Sequence, residues 1–183
     1  CNRFHEKYSD YYLRTESRNK IAIVWSADTA NYYSSSVAES DFTQGAQIGF
    51  SVEKGNHSAS FNGFCEVMQR NHVQFDVIDE QTLTSDKINK YELILFPVCA
   101  CMSDEVLESV KSYVKAGGHI IATYDTGCYD QKGYRLGYDR VKDLFGIKSM
   151  NKTLKYDTGT SFATVSSPYA DELNSDVITG PLK

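Results

Sequence analysis

Two short apolar runs flank a helical pattern between residues 91 and 127, and this arrangement constrains the fold more than any other stretch of the chain. The runs at 92–97 and 119–124 are too short to be helices, whereas apolar residues recur with a helical period over 103–116. Parallel strands need a long crossover, and a helix of this length supplies one. The pattern therefore predicts a βαβ unit whose two parallel strands are buried on both faces.

Local signals mark both ends of the predicted helix. Ser103 is a favourable N-cap, and Asp104 and Glu105 put negative charge in the first turn, where the helix dipole favours it. Gly117 stands where a left-handed residue commonly ends a helix. We expect one face of this helix to be buried, through Val106, Leu107, Val110, Tyr113 and Val114.

The chain before this unit repeats the same strand and helix order. Residues 20–26 and 73–78 form apolar runs, and 59–71 has a helical pattern that Ser58 or Ser60 can cap. We expect Phe64 of this helix and Leu95 of the central unit to be buried between helix and sheet. The run at 73–78 alternates more than the others, which indicates an edge strand. Together these elements predict an α/β fold with a doubly wound, mainly parallel sheet of flavodoxin-like order, the first strand being central.

The segment 27–57 is polar and long for a connection within one domain. Such segments tend to be functional or to lie at an interface. Its aromatic residues, together with those near the N-terminus, are suited to anchoring a neighbouring domain or subunit; within the segment they are Tyr32, Tyr33, Phe42 and Phe50. Further on, the pattern predicts a short helix over 138–145 and a strand over 161–165.

Length and net charge limit the number of domains and the kinds of partner that the sequence predicts. A length of 183 residues predicts one domain, assigned to 20–183, and residues 1–19 read as a lead-in from a preceding domain. The net charge of −5, with both signs mixed, favours neither nucleic acid nor an anionic membrane as a partner. No apolar run approaches the ~20 residues of a transmembrane helix. The sequence does not predict the compartment of the protein, because a signal peptide of an exported parent would already have been removed.

The five cysteines are odd in number and irregularly spaced, which favours free and mostly buried thiols over a disulfide framework. Cys99 and Cys101 could in principle converge with Cys128 and His119 around a metal ion. A structural zinc site usually has a second ligand pair at short spacing, and none is present here. We therefore predict no metal site.

Several of these stretches resemble the β-galactosidase trimerisation domain of family 42 β-galactosidases. The resemblance lies in residues 61–68 with 72–78, in 91–97, and most specifically in 110–127, where a Tyr-Val-x-x-Gly-Gly motif precedes a strand. Residues 143–147 fit the helix that follows in the family. The similarity covers about residues 20–147.

The resemblance implies a three-layer sandwich of the class I glutamine amidotransferase-like type. It further implies a non-catalytic accessory domain that packs beside a preceding (β/α)8 glycosidase barrel and helps to form trimers. The barrel, with the paired catalytic carboxylates of the family, is not in this sequence. Sugar chemistry is therefore not assigned to this chain.

An active amidotransferase of this fold would need a cysteine on a sharp turn after a strand, with a histidine base and an acidic residue. Taking Gly127 as the last residue of that turn puts Asp125 at the nucleophile position, and Cys128 lies three residues beyond it. No histidine follows His119. A small thiol- or carboxylate-dependent hydrolase, using Cys128 or Asp125, is the alternative function.

A third possibility is a domain that senses a sugar. Asp28 and Thr29 follow the first strand and Cys99 follows the third, at the point where sheets of this kind bind ligands. A turn-forming aspartate is the commoner explanation of Asp28. No glycine-rich phosphate loop follows the first strand, so no cofactor is predicted. We expect His57 and His72, which flank a helix, to face solvent.

Overall fold

The fold is described here from a computed structural model, which describes residues 2–13, 15–33, 55–147, 161–164 and 177–180. Six α-helices and six strands lie in these ranges. In chain order they are α1 (Asn2–Lys7), α2 (Ser9–Tyr12), β1 (Ile21–Val24), α3 (His57–Arg70), β2 (Asp76–Ile78), α4 (Glu80–Leu83), β3 (Leu93–Phe96), α5 (Asp104–Lys115), β4 (His119–Ala122), α6 (Lys142–Phe145), β5 (Ser161–Thr164) and β6 (Val177–Gly180).

Strands β1 to β4 form one parallel sheet in the order β2-β1-β3-β4. The prediction of an α/β fold with a central first strand is thus confirmed, and β2 lies at an edge as its alternation indicates. Strand β5 confirms the strand predicted over 161–165 and pairs with β6 in a separate antiparallel sheet. Helix α6 follows a 3-10 turn at Tyr138–Arg140, in agreement with the helix predicted over 138–145.

Helix α5 begins and ends where the sequence predicts. The Ser103 side chain accepts a hydrogen bond from the backbone N–H of Val106, and Gly117 adopts a left-handed conformation with φ of 101° after the helix. Gly118 is needed for a different reason, because a β-carbon there would meet the ring of Tyr113. That ring is buried, and its hydroxyl donates to the carbonyl of Tyr91 at 3.1 Å. This hydrogen bond therefore joins the last turns of α5 to the residues just before β3.

The two faces of the sheet are covered by different helices. Ile94 and Phe96 belong to a core shared with α4 and α5. Leu95, which alternates with them, faces the other side, where α3 contacts the sheet. Leu95 is fully buried as predicted, whereas Phe64 is only half-buried, so its predicted burial is confirmed in part. The packing gives three layers, with α4 and α5 on one face of the sheet and α3 on the other.

The prediction that both strands of the βαβ unit are buried on both faces is wrong for β4. Ile121 is 49% exposed and His119 is exposed, while Ile120 and Ala122 are half-buried. Among the strands described, β4 is the outermost on its side of the sheet, so it lacks the second neighbour that encloses β3. An apolar run alone does not distinguish these two positions.

Residues just before β1 contact the sheet through the Asp76 carboxylate. Asp76, at the start of β2, accepts hydrogen bonds from the Ser17 hydroxyl at 2.6 Å and from the Asn19 side chain at 2.8 Å. Its other oxygen accepts from Lys90 at 3.0 Å and from the Tyr91 hydroxyl at 2.9 Å. The chain that enters β1 is thereby joined to both β2 and the segment before β3.

The segment 27–57 is partly helical. Thr29–Tyr33 forms a π-helical turn in which Thr29 and Tyr33 are buried, so Tyr33 packs within the domain. Residues 34–54, with Phe42 and Phe50, lie outside the described residues. Helix α3 begins at His57 with Asn56 as its N-cap, slightly earlier than the predicted caps Ser58 and Ser60, because the Asn56 side chain accepts from the Ala59 N–H.

Candidate functional site

The residues predicted at the ligand-binding edge of the sheet are mostly committed to internal contacts. Thr29 is fully buried, and its hydroxyl oxygen accepts from the Ser26 hydroxyl at 2.7 Å and from the backbone N–H of Cys101 at 3.0 Å. Cys99 is buried, with its backbone N–H donating to the Thr126 hydroxyl at 3.2 Å. Burial raises the pKa of the Cys99 thiol well above its usual value, and the charge of Glu80 adds to this effect. The thiol is therefore neutral.

Asp28 is the one member of this predicted trio that reaches the surface, being half-buried. Burial raises the pKa of its carboxyl, and the nearby Glu80 carboxylate raises it further. The structure thus brings Asp28 and Glu80 within electrostatic range of each other at the ends of β1 and β2. It does not bring Thr29 or Cys99 to a surface where a ligand could touch their side chains.

His57 occupies the crevice between β1 and β3, and the prediction that it faces solvent is wrong. The residue is fully buried, with Nε2 3.1 Å from the backbone nitrogen of Ser26 and Nδ1 2.7 Å from the carbonyl oxygen of Pro97. The ring also packs against Trp25, with centroids 4.9 Å apart. His72, at the other end of α3, is exposed as predicted. A protein side chain therefore fills the place where sheets of this kind bind ligands.

The turn after β4 has the strained backbone expected of a nucleophile elbow, at a different residue. Tyr124 adopts a left-handed conformation with φ of 55° and is 52% exposed. Asp125, which the sequence puts at the nucleophile position, follows it and is buried. A left-handed tyrosine costs about 1–3 kcal/mol and persists only where its surroundings hold it. The exposed residue of this turn is thus a tyrosine, and its side chain carries a phenol group in place of a cysteine thiol.

Asp125 is engaged with the π-helical turn after β1. Its Oδ2 atom accepts a hydrogen bond from the Tyr33 hydroxyl at 2.7 Å, and the same hydroxyl accepts from the backbone N–H of Gly55 at 2.7 Å. The buried ring of Tyr33 packs edge-on against Tyr129. This carboxylate therefore joins three segments of the chain.

Cys128 and Cys101 are both buried thiols. Burial, with a smaller effect of the Asp125 charge, raises the pKa of Cys128 to about 12. Burial also raises the pKa of Cys101 to about 12. The nucleophilic form of cysteine is the thiolate, which these sites disfavour. Within the described ranges, no group of three or more His, Cys, Asp or Glu side chains could hold a metal ion.

Arg140 connects the loops at this end of the sheet, and no sequence pattern predicts its role. Its guanidinium donates to the carbonyls of Met102, Gly127 and Tyr129 at 2.8 to 3.1 Å. It also pairs with the Asp104 carboxylate at 2.7 Å. The arginine joins the loops after β3 and β4 to the first turn of α5. No spacing rule could reveal it, because its main partners are backbone carbonyls distant in sequence.

These features define a doubly wound α/β domain in which His57, Thr29 and Cys99 are buried near the carboxyl ends of β1 and β3. The chain belongs to the β-galactosidase trimerisation domain family, whose model matches residues 19–178. In the GH42 β-galactosidases this is an accessory domain. No curated protein matches the sequence. Within the described residues, no helix is both long and apolar enough to cross a membrane.

Solved β-galactosidases share the fold. One from Bifidobacterium adolescentis is 15% identical with a TM-score of 0.57, over 84% of this chain and 65% of that one. One from Bacillus circulans sp. alkalophilus is 15% identical with a TM-score of 0.53, over 89% and 21%. A catalytic mutant of Gan42B, a GH42 β-galactosidase from G. stearothermophilus, is 17% identical with a TM-score of 0.62, over 86% and 22%. The chain thus spans less than two thirds of each of these proteins.

Proposed function

We propose that this chain is a non-catalytic accessory domain that promotes self-association of a β-galactosidase-like protein. The observation that supports a non-catalytic role is the position of His57, which is buried between the carboxyl ends of β1 and β3 and bonds to the backbone after both strands. A sugar-binding domain would need accessible groups there. An amidotransferase would need an accessible thiol after β4, where Cys128 is buried. The membership in a trimerisation family supports the same role.

In this proposal the domain comprises residues 20–183 and residues 1–19 lead in from a preceding glycosidase barrel. The barrel and a second and third copy of the chain are the partners, giving a trimer. The anchoring of Ser17 and Asn19 on Asp76 supports the boundary, because it fixes the incoming chain on the domain just before β1. The catalytic carboxylates of the parent protein would belong to the barrel.

The test uses the parent polypeptide with and without residues 20–183. The proposal predicts that the complete polypeptide sediments as a trimer and that the barrel alone is a monomer with an intact active site. A barrel that remains trimeric without residues 20–183 would remove the proposed role. A reading frame that encodes no barrel before Cys1 would contradict the proposed partner.

A further inference from the structure

The first residue of α3 is held between the ends of two neighbouring strands. His57 Nε2 meets the backbone nitrogen of Ser26, two residues after β1, and Nδ1 meets the carbonyl oxygen of Pro97, directly after β3. Both contacts are buried. One imidazole therefore joins α3 to both central strands of the sheet.

These contacts define the protonation state of the ring. The backbone N–H of Ser26 can only donate, so Nε2 must accept. The Pro97 carbonyl can only accept, so Nδ1 must carry the proton. An imidazolium has protons on both nitrogens, and its Nε2–H would face the N–H of Ser26. Only the neutral ring satisfies both backbone groups.

We propose that His57 is a proton-operated latch, which holds the first turn of α3 against β1 and β3 when neutral and releases the Ser26 N–H when protonated. This regulatory role is independent of the self-association proposed above. A second hydrogen bond in this region, from the Gly55 N–H to the Tyr33 hydroxyl, does not involve the imidazole. Opening of the latch should therefore loosen the first turn of α3 while the rest of the sheet stays intact.

The groups around the ring set the direction of the response. Burial is the largest effect and lowers the pKa of His57 below its usual 6.5, while the hydrogen bond to the Pro97 carbonyl and the charge of Glu80 on α4 oppose this change. The charge of Glu80 also raises the pKa of Asp28, which follows β1. The ring neighbours Trp25 and Phe61 are uncharged. The latch is therefore closed at neutral pH and opens in acid.

Trp25 reports on the latch directly, because it is the one tryptophan of the 183-residue chain and its ring lies 4.9 Å from the His57 ring. We would titrate the chain from about pH 8 to about pH 5, a range that spans the ordinary histidine pKa, and follow Trp25 emission and amide hydrogen exchange. The emission should follow one titration with a midpoint below 6.5. The protection factor of the Ser26 amide should fall on the order of tenfold, while that of Leu95 stays constant.

Three variants separate the latch from other titrations. His57→Gln keeps an acceptor near the Nε2 position without a titrating group, so its emission and Ser26 protection should not depend on pH. His57→Asn keeps only a donor near Nδ1, so Ser26 should exchange fast at every pH. His72→Asn is the matched control at the exposed end of α3, where asparagine tolerates the left-handed backbone, and it should titrate like the parent chain.

A parent chain whose emission and Ser26 exchange are flat over this range overturns the proposal. A titration in His57→Gln with the same midpoint as in the parent chain also overturns the proposal. Global unfolding of the parent chain and of His57→Gln at the same pH would overturn it as well. If His57→Gln fails to fold, the comparison of Ser26 with Leu95 exchange in the parent chain decides.

Discussion

The hydroxyl of Tyr33 lies 2.7 Å from Oδ2 of Asp125, so a residue that the sequence offers as a candidate nucleophile is tied to a buried tyrosine. The same hydroxyl accepts a hydrogen bond from the backbone N–H of Gly55, which lies two residues before α3. Burial raises the pKa of Tyr33, and the hydrogen bond to Asp125 raises it further, so the phenol keeps its proton. Asp125 and Tyr33 together connect the turns after β1 and β4 with the start of α3.

Removing the Tyr33 hydroxyl should therefore destabilise the domain. We expect Tyr33→Phe to lower the free energy of unfolding by about 1–3 kcal/mol, because it takes a partner from two polar groups in a largely buried region. Urea denaturation measures the change. Tyr134→Phe, at a side chain that is 70% exposed, is the control and should change stability by less than about 0.5 kcal/mol. Equal effects in the two variants would mean that the Tyr33 contacts carry no stability.

Leu95 on β3 lies beside Ile121 on β4 in the parallel sheet. These two residues form a matched pair for a test of core packing. Leu95 is fully buried and Ile121 is 49% exposed. We expect Leu95→Ala to cost about 2–5 kcal/mol, through lost transfer free energy and a cavity. Ile121→Ala should cost less than about 1 kcal/mol, because half of its side chain already meets water. A similar cost for both would contradict the edge position of β4.

The carboxylate of Asp76 should make stability depend on pH in acid. Burial opposes ionisation, but hydrogen bonds from Ser17, Lys90, Tyr91 and Asn19 outweigh it and lower the pKa of Asp76 from 3.8 to about 2. The native state thus favours the ionised form, so this stabilisation is present above pH 3.8 and is lost as pH falls towards 2.

Asp76→Asn tests this dependence. Between these two pH values the parent chain should lose about 2 kcal/mol more stability than the variant, as a shift of this size implies. Denaturant midpoints measured across the range give the difference. Asp10→Asn, at an exposed carboxylate on α2, should follow the parent chain. Parallel pH profiles for Asp76→Asn and the parent chain would show that Asp76 is not perturbed.

The buried thiols should be unreactive in the folded chain. With the pKa of Cys128 raised to about 12, almost none of it is thiolate at neutral pH, so a thiol-specific alkylating reagent should modify Cys128 only after unfolding. Cys65, which is half-buried on α3, should react first among the described cysteines. Cys128→Ala should leave any glutaminase or esterase activity at background. A thiol-dependent activity that disappears in this variant would favour the hydrolase alternative.

The sequence predicts the sheet and α5 well because their signals are local. Ser103 caps the helix and Gly117 ends it within the same stretch that forms it. The burial of β4 is not predictable in this way, since an apolar run has the same pattern at the centre and at the edge of a parallel sheet. Which strand is outermost depends on pairing between distant segments.

The site was harder to predict than the fold, for the same reason. His57 lies 31 residues from Ser26 and 40 from Pro97, so helix-end statistics place it in solvent although tertiary contacts bury it. The turn after β4 is visible in the sequence. The identity of its strained residue, Tyr124, depends on backbone angles that a motif spacing does not fix.

The proposed function of this domain is to assemble copies of the chain. Sedimentation equilibrium of the purified chain over a wide concentration range is the test of this function. We expect the protein to approach a single species with three times the 20.6 kDa mass of the chain. A monomer at every concentration would contradict self-association by this domain.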